Sequence, residues 1–199
     1  MTLDSRLLEK PLPKPSRDPI GYASARLLEA LLEAILALRF LEEGYTRNAA
    51  GKAFQAWRAL TAAILALEKQ RVSKLLASEE ERRWLEERGI PRLPSTRLRS
   101  LARLVEETGY EYYTPLTDVA LNLHDYQYHG PDPDLAASRY RSRAEAASDI
   151  VYLLERLVEI VEARVKERLA ESGGWGEEHT AALEQLKRLL KTMRNLRSS

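Results

Sequence analysis

Gly44 to Val72, GYTRNAAGKAFQAWRALTAAILALEKQRV, is the stretch whose reading decides the fold. Its apolar positions Ala50, Ala53, Trp57, Leu60, Ile64 and Leu67 recur three or four residues apart, so they stack along one side of an α-helix and require burial. Between them stand Ala49, Ala56, Ala59, Ala63 and Ala66, side chains small enough to let neighbouring helices close in on more than one flank. That is the composition of a central helix. Gly44 can end the preceding helix in a left-handed conformation and Thr46 can cap the new one, which predicts an antiparallel hairpin with a very short connection.

Upstream, Pro11, Pro13 and Pro15 space residues 1–17 into an extended arm whose Leu3, Leu7 and Leu8 are available to pack on a neighbour. Asp18-Pro19 is a cap followed by a first-turn proline, and Leu27, Leu28, Leu31, Ile35, Leu38 and Leu41 supply the buried stripe of the first helix. Downstream, Ser78 and Glu81 form a capping box opening a short helix that is expected to close at Gly89. Ser95 is placed to cap the next, which carries Leu98, Leu101, Leu104 and Val105 and ends at Gly109. Thr114-Pro115 begins another, which stops at Gly130-Pro131.

From Asp132-Pro133 the longest helix is expected to run to Gly173-Gly174. Its Tyr140, Ala144, Ala147, Val151, Leu154, Val158, Val161 and Val165 approach a heptad seam, which meets either a second subunit or the chain's own helices. A last helix from Glu177 has acidic residues in its first turn, Lys191, Arg194 and Arg197 near its end, and Leu183, Leu186, Leu190 and Met193 as a docking face. The expected architecture is an all-α, up-and-down antiparallel helical bundle over residues 18–172. The arm 1–17 precedes it and a basic amphipathic helix, 173–199, is appended to it.

A chain of 199 residues can bury one good core, and its net charge of +1 argues neither for nor against a polyanionic partner. Arginine greatly outnumbers lysine, and each guanidinium can hold a phosphate with two parallel hydrogen bonds or pair with the abundant glutamates. The absence of cysteine excludes disulfides, thiolate chemistry and cysteine-based zinc sites. No apolar run approaches the ~20 residues that cross a bilayer, and the N-terminus lacks a signal-peptide core, so no membrane partner and a cytoplasmic location are expected. Scarce Asn and Gln beside dense Arg and Glu fit a thermophile.

Chemistry-bearing residues are densest at Asn122 to His129, NLHDYQYH, beside a proline-punctuated turn. His124 and His129 can move protons near neutral pH, Asp125 can orient an imidazole, and Tyr126 and Tyr128 offer hydroxyls or stacking faces. The alternative is that these side chains satisfy buried carbonyls at a helical junction. The two histidines stand five apart, unlike the zinc-protease spacing, and there is no glycine-rich phosphate loop, so neither metal nor cofactor is expected. Arg139, Arg141 and Arg143 fall within two turns of the expected long helix, where an antiparallel turn brings some of them toward the histidines. A proton-transfer group beside an anion-binding one suits both metal-free RNA cleavage and nucleotide binding.

LEEGYTRNAAGKAFQAWRALTAAI, with Gly44, Ala50, Lys52, Ala53 and Trp57, and ALNLHDYQYHG resemble two segments of the archaeal PaREP family, a branch of the HEPN (higher eukaryote and prokaryote nucleotide-binding) superfamily. The resemblance implies an up-and-down bundle, a homodimer, an RNA or nucleotide ligand and, for many members, metal-independent endoribonuclease activity in toxin–antitoxin systems with an antitoxin-type protein partner. Nuclease members carry Arg, four to six residues, then His, with a Tyr two places on. His124 and Tyr126 match the second half as catalytic residues, but Val119, Asp118 and Thr117 stand where the arginine belongs. Arg139, Arg143, Asp125, Tyr128 and His129 are then the RNA- or nucleotide-binding candidates. The competing expectation is a non-catalytic helical dimerisation or protein-interaction module.

Overall fold

A computed structural model describes residues 9–198, with side chains described through Arg194; Leu3, Leu7, Leu8 and the side chain of Arg197 lie outside the described residues. Every regular element among the described residues is helical: α1 (Pro19–Glu42), α2 (Thr46–Leu67), α3 (Lys69–Leu75), α4 (Glu79–Trp84), α5 (Ile90–Arg92), α6 (Leu98–Glu107), α7 (Tyr113–His129), α8 (Arg143–Ile160), α9 (Lys166–Glu171) and α10 (Glu177–Ser198). None of them is long and apolar enough to cross a membrane.

The central helix forms as its alanines require. Sixteen of the 22 residues of α2 are buried, because α1, α7 and α8 all pack against it and α6 joins them. The α1–α2 hairpin closes at Gly44 (φ +81°), a backbone open to glycine at little cost. Asp18 caps α1 through its carboxylate, which accepts the Gly21 N–H at 2.7 Å, and the Ser78–Glu81 capping box is complete.

At the C-terminal half of α2 the contact with α7 is sealed. The Trp57 indole stacks on the Tyr113 ring with centroids 4.7 Å apart and donates Nε1–H to Thr117 Oγ1 at 2.8 Å. Thr61 Oγ1 lies 2.9 Å from the Tyr113 hydroxyl and 2.8 Å from the Trp57 carbonyl. Burial drives the Tyr113 phenol well above its usual pKa, which keeps it a neutral hydrogen-bonding group.

Five local expectations are corrected. Thr46 is the first residue of α2 rather than its cap; its hydroxyl instead receives the guanidinium of Arg143. The central helix does not continue to Val72 but breaks at Glu68, whose buried carboxylate is held by Arg168 (2.7 Å) and Arg71 (3.3 Å). Gly89 does not close the fourth helix: a π-helical turn, Leu85–Gly89, carries it into α5, and the chain turns at Leu93 (φ +41°). Ser95 opens a short 3-10 turn without capping it.

The fifth concerns the long helix, which starts at Arg143, capped by Ser142, and not at Asp132. Asp132 accepts backbone N–H groups from Asp134, Ala137 and Ser138, so its carboxylate stabilises a loop over 131–142 instead of a helix start. Tyr140 therefore lies on that loop. Val151, Leu154, Val158, Val161 and Val165 are buried against the chain's own helices, while Ala144 is exposed and Ala147 half-buried. A π-helical turn, Val161–Val165, joins α8 to α9. Finally α10 docks on α1 and α8 through Leu183, Leu186, Leu190 and Met193.

Candidate functional site

The other half of the α2–α7 contact is open. Gly51 lets α7 approach closely here, since a Cβ at that position would stand 2.4 Å from Gln127 Oε1. The Gln127 amide in turn donates to Nδ1 of His124 at 2.6 Å. The imidazole lies flat on the buried Phe54 ring, centroids 4.1 Å apart at 25°, and meets Tyr128 edge-on at 5.4 Å. Its position is thus fixed by three neighbours while the residue itself stays half-buried.

Those contacts set the proton. With Nδ1 accepting from the amide, the neutral ring carries its hydrogen on Nε2, which has no protein partner. Burial lowers the His124 pKa below its ordinary value; Asp125 opposes the shift and Arg58 adds to it.

Arg58, on α2, is the cation of this face. Its Nη1 donates to Gln55 Oε1 and its Nη2 to the Arg92 carbonyl, both at 3.1 Å, while Nε has no hydrogen-bond partner. Burial, reinforced by Arg26, lowers its pKa. Lys52 and Arg26 differ from it in being neutralised: Lys52 lies 2.8 Å from Glu33 on α1, and Arg26 2.7 Å from Glu29. Among the described residues no carboxylate forms an ion pair with Arg58, although Glu29 acts on it through charge, and the charge of Arg58 in turn reaches the His124 imidazole. An oxyanion would be bound there by charge-assisted hydrogen bonds.

The expected site residues divide between this face and other parts of the surface. His124 and Tyr128 sit on the face, and Asp125 and His129 are exposed beside it. Tyr126 is two residues, more than half a turn, from His124 and faces the interior, fully buried, with its ring edge against Tyr140 at 5.5 Å. Burial raises its pKa and its hydroxyl has no partner, so Tyr126 is packed as a core residue. Arg143 is committed to the α1–α2 turn, where it donates to the Gly44 carbonyl and Thr46 Oγ1. Arg139 and Arg141 stand exposed on the 131–142 loop, off the helix on which they were expected. The arginine whose charge acts on the His124 ring is Arg58, not Arg139 or Arg143. Arg47, also missed, caps the end of α7 by donating to the carbonyls of Gln127 and Tyr128.

The readable signal for Arg58 was a polar stripe, Lys52, Gln55 and Arg58 at three-residue spacing, on an otherwise alanine-rich helix. Among the described residues no three His, Asp or Glu side chains converge as metal ligands. Residues 25–151, which include every residue of the open face, match the model of the Archaeal PaREP1/PaREP8 family. No curated protein and no solved structure matches the chain.

Proposed function

The chain belongs to the archaeal PaREP1/PaREP8 family, and from that premise we propose that it binds RNA or a nucleotide through the open α2–α7 face. Arg58 and the Nε2–H of His124 hold a phosphate, and the exposed ring of Tyr128 gives a base a stacking surface. The observation that carries this reading is the Arg58 guanidinium, which forms no ion pair with a carboxylate although Lys52 and Arg26 do.

Binding is favoured over cleavage. A general base needs a free lone pair on the imidazole, and here Nδ1 is occupied by the Gln127 amide while Nε2 carries the proton. Tyr126, the residue the HEPN nuclease pattern would enlist, is sealed in the core. The ligand is therefore held and left intact.

Fluorescence anisotropy with a labelled short oligouridylate in EDTA tests this. Wild-type affinity is expected to fall with rising salt, and Arg58→Gln to weaken binding about tenfold or more, the value of one lost charge-assisted contact. His124→Ala is expected to weaken it less, and Arg139→Ala not at all. Wild-type affinity in Arg58→Gln, or RNA shortened by the wild type and spared by His124→Ala, overturns the assignment.

A further inference from the structure

A cleft of about 550 Å³ lies at the other end of α7, where α8 meets the turn leading from α6 into α7. Tyr112 and Tyr152 stand on it, 71% and 46% exposed. Leu116 and Ile160 give it an apolar floor. Two guanidinium groups complete it. Arg156 lies 5.6 Å from the Tyr152 ring centroid and pairs with Glu159. Arg164 lies 4.9 Å from the Tyr110 ring centroid and donates to the Gly109 carbonyl.

Two uncommon backbone arrangements flank this cleft. Tyr112 adopts φ +60°, a conformation uncommon for a bulky side chain, at the start of a helix whose Thr114 N–H is taken by the Glu106 carboxylate at 3.3 Å. Arg164 sits on the π-helical turn Val161–Val165, an insertion in the helical ladder that displaces the side chains it carries. Both arrangements set residues that line the cleft, Tyr112 and Arg164.

We propose that this cleft binds a single purine nucleotide, with its base against Tyr112 and Tyr152 and its phosphate toward Arg156 and Arg164. Exposed phenol faces suit a flat heterocycle, and guanidinium groups suit a phosphate. Glu111 and Glu159 balance the two arginines, so the cleft offers little long-range attraction to a polyanionic strand. Its volume is in the range of small-molecule sites. Tyr152, Arg156 and Arg164 lie past residue 151, where the family match ends, so the proposal is independent of the α2–α7 face.

Titration calorimetry of the full chain with AMP, and separately with ribose 5-phosphate, decides it. Saturable AMP binding is expected, with ribose 5-phosphate about tenfold weaker or worse because it has no ring to stack. Tyr152→Ala is expected to weaken AMP by a similar factor. Tyr112→Gly removes the ring and relieves the left-handed backbone, so it is expected to lose AMP without lowering the melting temperature. Arg58→Gln is expected to leave AMP binding unchanged. Equal binding of the two ligands, or wild-type affinity in both tyrosine variants, refutes the cleft. Loss of AMP in Arg58→Gln alone places the ligand on the α2–α7 face, and then the cleft proposal fails while the face stands.

Discussion

At one end of the α2–α7 contact Trp57, Thr61, Tyr113 and Thr117 close a circuit in which each polar side-chain atom has a protein partner. Toward the start of α2, Phe54 and Gln127 hold the His124 ring by stacking and a hydrogen bond at Nδ1 but leave its other ring nitrogen without a protein partner, and the Arg58 guanidinium nearby forms no ion pair with a carboxylate. The first arrangement spends its polar groups on holding two helices together. The second holds them together and keeps donors in reserve, which is the difference between a core and a binding face.

The most forceful way to break this comparison is at the sealed end. Trp57→Ala removes a fully buried indole and its bond to Thr117, and the expected cost is ~3–5 kcal/mol in urea unfolding. A loss below about 1 kcal/mol would mean that this end does not carry the helix pair.

Acid gives a smaller effect, and one that separates two histidines. His179 on α10 has both ring nitrogens engaged: Nδ1 accepts the Gly176 N–H at 3.2 Å, and Nε2 donates to the Ser24 carbonyl at 2.9 Å. Burial lowers its pKa, opposed by the Ser24 bond and Glu178. The unfolded chain therefore takes up this proton more readily than the folded one. The stabilising contribution is complete above the unfolded value near 6.5 and is lost as pH falls toward the folded one. Urea midpoints at pH ~7.5 and ~5.5 should fall more on acidification in the wild type than in His179→Gln, which keeps a donor for Ser24 but titrates nothing. Parallel pH dependence in the two would remove His179 as the link between α10 and α1.

The smallest expected effect sharpens the open end. Gly51→Ala gains ~1 kcal/mol of helix propensity but forces Gln127 aside, so stability should change by less than about 1 kcal/mol. The informative readout is His124. Losing the amide that bonds its neutral form, the ring should titrate at higher pH than in the wild type, as followed by NMR.

How far the residues foretold this follows from how local each cause is. Asp18, Gly44 and Ser78 act within a few residues, and the structure uses all three as their chemistry suggests. Asp132-Pro133 also looks like a helix start, but its carboxylate turns to Ala137 and Ser138, a choice fixed only when Tyr140 is buried against Tyr126. The alanine helix announced its burial, and His124 and Tyr128 were recognisable as candidates. Arg58 was not, because what makes it special comes from elsewhere in the chain: the Arg92 carbonyl, the α7 imidazole, and Glu29 and Glu33 already paired with other cations. Tyr126 was misjudged for the converse reason, since a hydroxyl two residues from a histidine looks available until the helix places it on the inner side.

The central claim, that the open end of α2–α7 is a ligand face presenting a histidine donor, is tested most directly by long-range proton–nitrogen NMR of the histidine rings with and without oligouridylate. His124 should be neutral at pH 7 with its hydrogen on Nε2, and that resonance alone among the rings of His124 and His179 should move on saturation with RNA. A His124 ring protonated on Nδ1, or one that stays unmoved while RNA binds, would contradict the account.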